Sequence, residues 1–134
     1  MAGRYGVGAF NVVDWVTMDA VLTAAAETGS PVIVQMAVRP VKAMGPRLAR
    51  VMFQEMASRV PIPAALHLDH CADRDMIAEC LEQGWSYVLF DGSALSYDEN
   101  LARTREIVRT AHARGAAVEG ELETMDMPGD GTSG

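Results

Sequence analysis

Three polar sequences that follow apolar segments hold the residues best suited to chemistry in this chain. The apolar run at residues 65–68 leads into Asp69 and His70, a second run leads into Asp91, and a third leads into Glu121. A carboxylate can move a proton, and imidazole is a common ligand for divalent transition metals. Acid–base chemistry beside a bound metal ion is therefore one function that these residue types could support.

Each of these residues also has a purely structural interpretation. For His67, the favoured interpretation is a buried histidine with a satisfied hydrogen bond. For Asp69 and His70, which follow each other at a strand end, a functional role is favoured, because a buried charge rarely lacks a partner. The Asp-Gly-Ser sequence at 91–93 fits a simple turn equally well. Strand alternation predicts that His67 and Asp69 share one face of the strand, with Leu68 and His70 on the other.

The elements that must position these residues alternate regularly between strand and helix. Short β-branched or apolar runs predict strands, and apolar residues at helical spacing between capping residues predict helices. Five strands and four helices result, with a loop at 38–46. The predicted strands cover residues 6–11, 31–37, 65–70, 86–90 and 116–122, and the predicted helices cover 15–27, 47–60, 73–82 and 97–113. The apolar side predicted for the helix at 47–60 consists of Leu48, Val51, Met52, Met56 and Val60.

This alternation predicts an α/β fold with a parallel sheet, in which ligands bind beyond the carboxyl ends of the strands. The chain of 134 residues suits one domain, and residues 124–134 have the composition of a flexible loop or tail. The net charge of −7 argues against a nucleic-acid surface. No run approaches the roughly 20 apolar residues of a membrane helix, and no signal peptide is recognisable. The two cysteines form no metal-binding spacing, which favours a reducing, cytoplasmic location.

Six short sequences occur in one order that matches a known family. They lie at residues 8–11, 30–35, 65–70, 90–93, 99–100 and 118–122. In this order they resemble the class II, metal-dependent ketose-bisphosphate aldolases, which act in carbohydrate metabolism and glycolysis on fructose or tagatose bisphosphate. The resemblance implies a (β/α) barrel, here a partial TIM barrel, and cleavage of a ketose bisphosphate to dihydroxyacetone phosphate and an aldehyde.

The resemblance also implies roles for individual residues. Asp69 corresponds to the catalytic acid/base, and Asn11 corresponds to a residue that contacts the sugar-phosphate substrate. His70 corresponds to a ligand of the catalytic Zn²⁺, or of another divalent metal, while Asp91 and Glu121 correspond to carboxylates that hold the ion or support its ligands. Such an ion stabilises the negative charge that develops when the carbon–carbon bond breaks.

The chain departs from the family pattern in several places. The family takes two more zinc histidines and its phosphate-binding loops from later strands, and we expect the chain to end before them. Ala37 stands where family members often carry serine, and the donor-carbon base of the family has no clear counterpart at residues 123–130.

Two alternatives to an active aldolase therefore stay open. One is a non-catalytic half-barrel that binds a partner, and the other is a module that binds only a metal or a sugar phosphate. A half-barrel would leave two open sheet edges. It would also expose apolar side chains of its inner face, among them Val7, Val34, Leu66, Leu68, Leu89 and Val118. The hypothesis that follows is a homo-oligomer, or docking onto a missing C-terminal half.

Overall fold

Residues 5–122 are described by the computed structural model, and within them five parallel strands lie side by side in chain order. The predicted tail at 124–134 lies outside the described residues. The elements are β1 (Gly8–Asn11), α1 (Trp15–Glu27), β2 (Val32–Ala37), α2 (Val38–Met44), α3 (Pro46–Ala57), β3 (Ala64–Cys71), α4 (Arg74–Glu82), β4 (Tyr87–Asp91), α5 (Tyr97–His112) and β5 (Ala117–Glu121). The predicted α/β class and the sequential parallel sheet are confirmed.

Capping residues explain where several helices begin. Asp14 accepts a hydrogen bond from the backbone N–H of Thr17, whose hydroxyl contacts the Asp14 backbone in return, which forms a capping box at the start of α1. Ser96 and Glu99 form the same arrangement at the start of α5. Gly29 follows α1 with a φ of +60°, a backbone conformation that glycine adopts at little cost. The predicted limits of α1 are confirmed.

Two predictions about the second βα connection are wrong. The segment predicted as a loop at 38–46 contains the short helix α2, in which Pro40 lies in the first turn, where its missing N–H costs no helical hydrogen bond. The apolar side predicted for α3 is also wrong in part, although Met52 and Met56 pack against the core as predicted. Ala49 and Phe53 are buried, whereas the predicted core residues Leu48 and Val51 are more than half exposed.

The two faces of the sheet differ in chemistry. Alternate residues of the central strands pack against the helices and are buried, namely Val32, Val34, Met36, Leu66, Leu68, Val88 and Phe90. The side chains between them, on the opposite face, include Gln35, His67, Tyr87 and Glu119, which contact one another. We call this second face the inner face.

The polar inner face corrects the prediction of exposed apolar side chains for all but one of the six residues. Val7, which precedes β1, is 43% exposed. Val34, Leu66 and Leu68 are fully buried in the helix-covered core, and Leu89 is buried as well. Val118 is partly buried against the same core. Right-handed connections between neighbouring parallel strands place all helices on one face, which explains why the large apolar residues lie there.

The sheet stays open at both sides in the described part of the chain, since β1 pairs only with β2, and β5 pairs only with β4. The partial-barrel prediction agrees with this arrangement. Among residues 5–122, none of the helices combines the length and the apolar character that a membrane crossing requires.

Candidate metal and acid–base site

The five predicted site residues lie at the carboxyl-terminal edge of the sheet. Asn11, Asp91 and Glu121 are the last residues of β1, β4 and β5, and Asp69 and His70 lie just before the end of β3. Because parallel strands end on the same side, this edge collects side chains that are far apart in sequence.

A local irregularity in β3 turns His70 toward the inner face. In the pairing of β3 with β4, Leu68 lies opposite Val88, and the next pair is Cys71 with Phe90. Two residues of β3, Asp69 and His70, therefore lie opposite the single β4 residue Leu89, which is a β-bulge. His70 has a φ of +45°, the only positive value among the described non-glycine residues. The prediction that His70 and Asp69 lie on opposite faces is therefore wrong, since the bulge interrupts the alternation.

His70, Asp91 and Glu121 form a cluster that could hold a metal ion. One ligand atom from each residue lies within 4.8 Å of the other two. The His70 Nδ1 atom lies 2.8 Å from Glu121 Oε2 and 3.8 Å from Asp91 Oδ2. We call these three residues the metal cluster.

The geometry inside the metal cluster fits a cation. Glu121 Oε2 is buried and accepts no hydrogen bond from the described residues, and its close approach to His70 Nδ1 lacks the alignment of one. Two electron-rich atoms this close, one of them buried, are stabilised by a cation that both can bind. One imidazole nitrogen and two carboxylate oxygens are also a donor set that zinc and similar divalent metals accept.

Asp91 serves the turn and the metal cluster with different oxygens. Its Oδ1 atom accepts hydrogen bonds from the Ser93 hydroxyl at 2.6 Å and from the Ser93 backbone N–H at 3.1 Å. Its Oδ2 atom faces His70. The turn interpretation of the sequence at 91–93 is confirmed, and the same turn orients the second carboxylate oxygen toward His70.

Asp69 is buried, with only 8% of its surface exposed, and both of its oxygens are held by amides. Asn11 Nδ2 donates to Oδ2 at 3.0 Å, and Gln35 Nε2 donates to Oδ1 at 3.0 Å. Neither amide can take up a proton in ordinary conditions. The two amides therefore fix the orientation of the Asp69 carboxyl group, whose oxygens retain lone pairs for a further hydrogen bond.

A row of polar contacts continues from Asp69 across the inner face. Gln35 Nε2 also donates to His67 Nδ1 at 2.9 Å, and the His67 ring lies against Tyr87 with the ring centroids 4.2 Å apart. The Tyr87 hydroxyl donates to Glu119 at 2.8 Å. The side chains of four neighbouring strands are thereby linked in sequence.

Burial controls protonation along this row. Burial lowers the pKa of His67, and the nearby His70 lowers it further. The negative charges of Asp69 and Glu119 oppose this lowering of the pKa. Because Nδ1 accepts from Gln35, the proton of the neutral ring lies on Nε2, which is buried without a hydrogen-bond partner among residues 5–122. Burial and the bond to Glu119 raise the pKa of Tyr87 to about 12, so its hydroxyl stays protonated.

Sequence reasoning missed two residues that hold this site together, Gln35 and Asn100. Gln35 is a polar residue inside the apolar strand β2, and this break in the pattern is the signal that could have identified it. Asn100 is buried on α5 and donates to the Glu121 carbonyl oxygen at 2.7 Å. Its only sequence signal is its membership in the motif at 99–100.

Known proteins resemble this chain throughout its length. The family model for class II fructose-bisphosphate aldolase matches residues 1–133. The fructose-bisphosphate aldolase of Streptococcus pyogenes serotype M1 is 37% identical over 133 residues, which cover 97% of this chain and 45% of that protein. The fructose-bisphosphate aldolase of Helicobacter pylori is 39% identical over 119 residues, which cover 88% of this chain and 39% of that protein.

Solved structures give the same result. The YdjI aldolase from Escherichia coli K12 superposes with a TM-score of 0.81 at 30% identity, over 91% of this chain and 48% of that one. The fructose-bisphosphate aldolase from Campylobacter jejuni superposes with a TM-score of 0.80 at 27% identity, over 93% of this chain and 43% of that one. The chain spans about half the length of the relatives it matches. It belongs to the class II fructose-bisphosphate aldolase family.

Proposed function

We propose that this chain carries part of a class II aldolase site for the reversible, metal-dependent cleavage of a ketose bisphosphate to dihydroxyacetone phosphate and an aldehyde. The observation that carries the proposal is the juxtaposition of two units at one sheet edge. One is the metal cluster of His70, Asp91 and Glu121, and the other is the amide-held carboxylate of Asp69, the residue next to His70. The membership in a family of metal-dependent enzymes that act on sugar phosphates supports it.

His70, Asp91 and Glu121 would hold the ion, and we propose Zn²⁺ as that ion. The mixed nitrogen and oxygen donors, together with the buried Glu121 oxygen that lacks a hydrogen bond, support this assignment. When bound, the ion supplies Lewis-acid polarisation of a substrate oxygen. The chain's own contribution is to keep three ligand atoms close together on the ends of three strands.

Asp69 acts as the acid/base in this proposal. In the cleavage direction its carboxylate takes the proton from the substrate hydroxyl at the carbon whose bond breaks. That hydroxyl becomes the aldehyde carbonyl, and the electron pair of the broken bond stays with the dihydroxyacetone phosphate fragment. In the reverse direction Asp69 returns the proton. The amides of Asn11 and Gln35 fix both oxygens of Asp69, so no reorientation is needed before proton transfer.

Asn11 is the proposed substrate contact. Its side chain is exposed at the end of β1, and its amide nitrogen already bonds to Asp69. A substrate oxygen that accepts from the same amide would therefore lie next to the acid/base. The proposal includes a sugar-phosphate ligand of the dihydroxyacetone phosphate class, a homo-oligomer or a complementary second half as the partner, and a cytoplasmic location.

The test measures metal content and aldol cleavage on the purified chain. Fructose bisphosphate and tagatose bisphosphate are offered as substrates, with and without a chelator. We expect turnover that the chelator removes and added Zn²⁺ restores, and that His70→Ala abolishes. His112→Ala is the matched control, because His112 is exposed in the last turn of α5, apart from the metal cluster.

Two other outcomes would contradict the proposal. Absence of turnover and of metal binding at any metal concentration would favour a non-catalytic chain that binds a partner. Zinc binding without turnover would favour a module that binds a metal or a sugar phosphate without lyase activity.

A further inference from the structure

Asn100 is a buried polar side chain that connects α5 to the ends of the two strands that carry Asp91 and Glu121. Only 3% of its surface is exposed. Its Nδ2 atom donates to the backbone carbonyl of Glu121 at 2.7 Å, and its Oδ1 atom accepts from the Thr104 hydroxyl at 3.0 Å. Both polar atoms of the amide are engaged, so its orientation is fixed.

The same amide lies directly against the backbone of Gly92, the residue after Asp91. A Cβ atom at Gly92 would lie 2.4 Å from Asn100 Oδ1 and 2.7 Å from Nδ2, distances that real Cβ atoms do not tolerate. Asn100 cannot swing aside without losing its bonds to Glu121 and Thr104. The absence of a side chain at Gly92 is therefore what allows Asn100 to pack beside the Asp91 backbone.

The position of Asn100 is itself well determined. The capping box of Ser96 and Glu99 fixes the first turn of α5, and the Leu95 backbone N–H donates to the Gly92 carbonyl oxygen at 3.0 Å. The connection from β4 to α5 is thus short and held by hydrogen bonds. Asn100 contacts two strand ends from a rigid support, and each of these ends carries one carboxylate of the metal cluster.

We propose that Asn100 is a positioning residue for the metal cluster, setting the separation of Asp91 and Glu121 through the Gly92 backbone and the Glu121 carbonyl. This inference rests on the proposed metal site. Asn100 does not touch the ion, and it acts by holding the backbone from which two ligands extend. Outer residues of this kind typically change metal affinity by roughly 10- to 100-fold when they are replaced.

The test titrates the full chain with Co²⁺ alone, whose visible absorption reports coordination geometry, and with Zn²⁺ in competition. Asn100→Ala removes the contact, and Gly92→Ala displaces the amide from the other side. Ile107→Val is the control, because Ile107 is buried on the same helix, about two turns beyond Asn100, and its truncation lowers stability by a similar mechanism of lost packing. Thr104→Val removes only the hydroxyl that donates to Asn100 Oδ1. It is the replacement variant if Asn100→Ala does not fold.

We expect Asn100→Ala and Gly92→Ala each to weaken Co²⁺ binding by roughly tenfold or more and to alter its spectrum, with Thr104→Val acting in the same direction by a smaller factor. In the double variant, which combines Asn100→Ala with Gly92→Ala, the two losses of Co²⁺ affinity should not add. The methyl group introduced at position 92 then no longer meets the amide of Asn100. Ile107→Val should bind as the unaltered chain does. Normal Co²⁺ binding in Asn100→Ala or Thr104→Val would overturn the positioning role of Asn100 and leave the proposed metal site standing. Absence of Co²⁺ binding by the unaltered chain would overturn both the positioning role and the metal site.

Discussion

The amide nitrogen of Gln35 lies 3.0 Å from Asp69 Oδ1, and this contact sets the orientation of the carboxylate. The same nitrogen lies 2.9 Å from His67 Nδ1, so its two hydrogens serve two acceptors. Gln35 thereby links the candidate acid/base to the row of polar contacts on the inner face. The Gln35 amide holds one oxygen of Asp69, and the neutral His67 ring holds the Gln35 amide, so neither group brings a charge to the carboxylate.

Replacement of Gln35 by methionine, which has a similar shape, should therefore lower stability. The change leaves His67 Nδ1 and Asp69 Oδ1 without the donor that they share, and a buried acceptor left unpaired costs about 1–3 kcal/mol. Urea denaturation of the two proteins gives the difference in the free energy of unfolding. An unchanged midpoint and slope would show that water replaces the amide without loss.

Stability should also depend on pH through His67. Burial lowers its pKa in the folded state, against the opposing charges of Asp69 and Glu119, whereas the unfolded chain protonates it near the ordinary value of 6.5. As the pH falls below 6.5 the unfolded state binds the proton first, so the free energy of unfolding declines until the lowered pKa is reached. Above 6.5 the ring is neutral in both states and its contribution is constant.

Urea denaturation between pH 5 and pH 8 tests this dependence. The slope of stability against pH in the acidic part of that range should decrease in His67→Gln and persist in His112→Gln, the exposed control. Nitrogen NMR should show the proton of the neutral His67 ring on Nε2. A slope that is unchanged in His67→Gln would contradict the prediction.

The sequence was sufficient to predict that the candidate site residues lie together at one edge of the sheet. Asn11, Asp91 and Glu121 each follow an apolar run, and the carboxyl ends of parallel strands meet at one edge. The face on which His70 lies could not be predicted, because strand alternation assumes a regular ladder. The bulge and the positive φ at His70 depend on how β3 pairs with β4, which is a tertiary property.

Helical faces were harder to predict where residue size misleads. In α3 the small Ala49 is buried and the larger Leu48 is exposed. The side of the helix on which a residue lies, and not its hydrophobicity, decides whether it packs against the sheet. Helix α2 was missed because Pro40 and Gly45 suggest a loop, although proline is tolerated in a first turn. The role of Asn100 requires Gly92 and Glu121 to be neighbours in space, and local sequence patterns carry no such information.

Binding of Zn²⁺ should raise the thermal stability of the chain through His70. A ligand that binds only the folded state adds about 2.7 kcal/mol to the free energy of unfolding at roughly 100 times its dissociation constant. The melting temperature should rise with added Zn²⁺ in the unaltered chain and in His112→Ala. It should not rise in His70→Ala, nor in the unaltered chain with chelator present. Equal shifts in both histidine variants would place the bound ion away from the metal cluster.

The open edges of the sheet predict self-association. Among the described residues, β1 and β5 each pair with one neighbour, and an unpaired strand edge can accept a further strand. Large apolar side chains are exposed beside β1, with Phe10 54%, Val13 59% and Trp15 64% exposed. Leu122, which directly follows β5, is 70% exposed. Apolar surface that favours association thus lies next to both open edges, and most of these side chains lie at the β1 edge.

Sedimentation at micromolar concentration measures this association. Phe10→Lys places a charge on the edge strand β1, and Leu48→Lys places one at a similarly exposed apolar position on α3, away from both edges. We expect the unaltered chain and Leu48→Lys to sediment as oligomers, and Phe10→Lys to shift toward the monomer because a lysine on an edge strand opposes pairing. Urea denaturation of both variants confirms that they remain folded. A cooperative monomer that binds no hydrophobic dye would show that these edges need no partner.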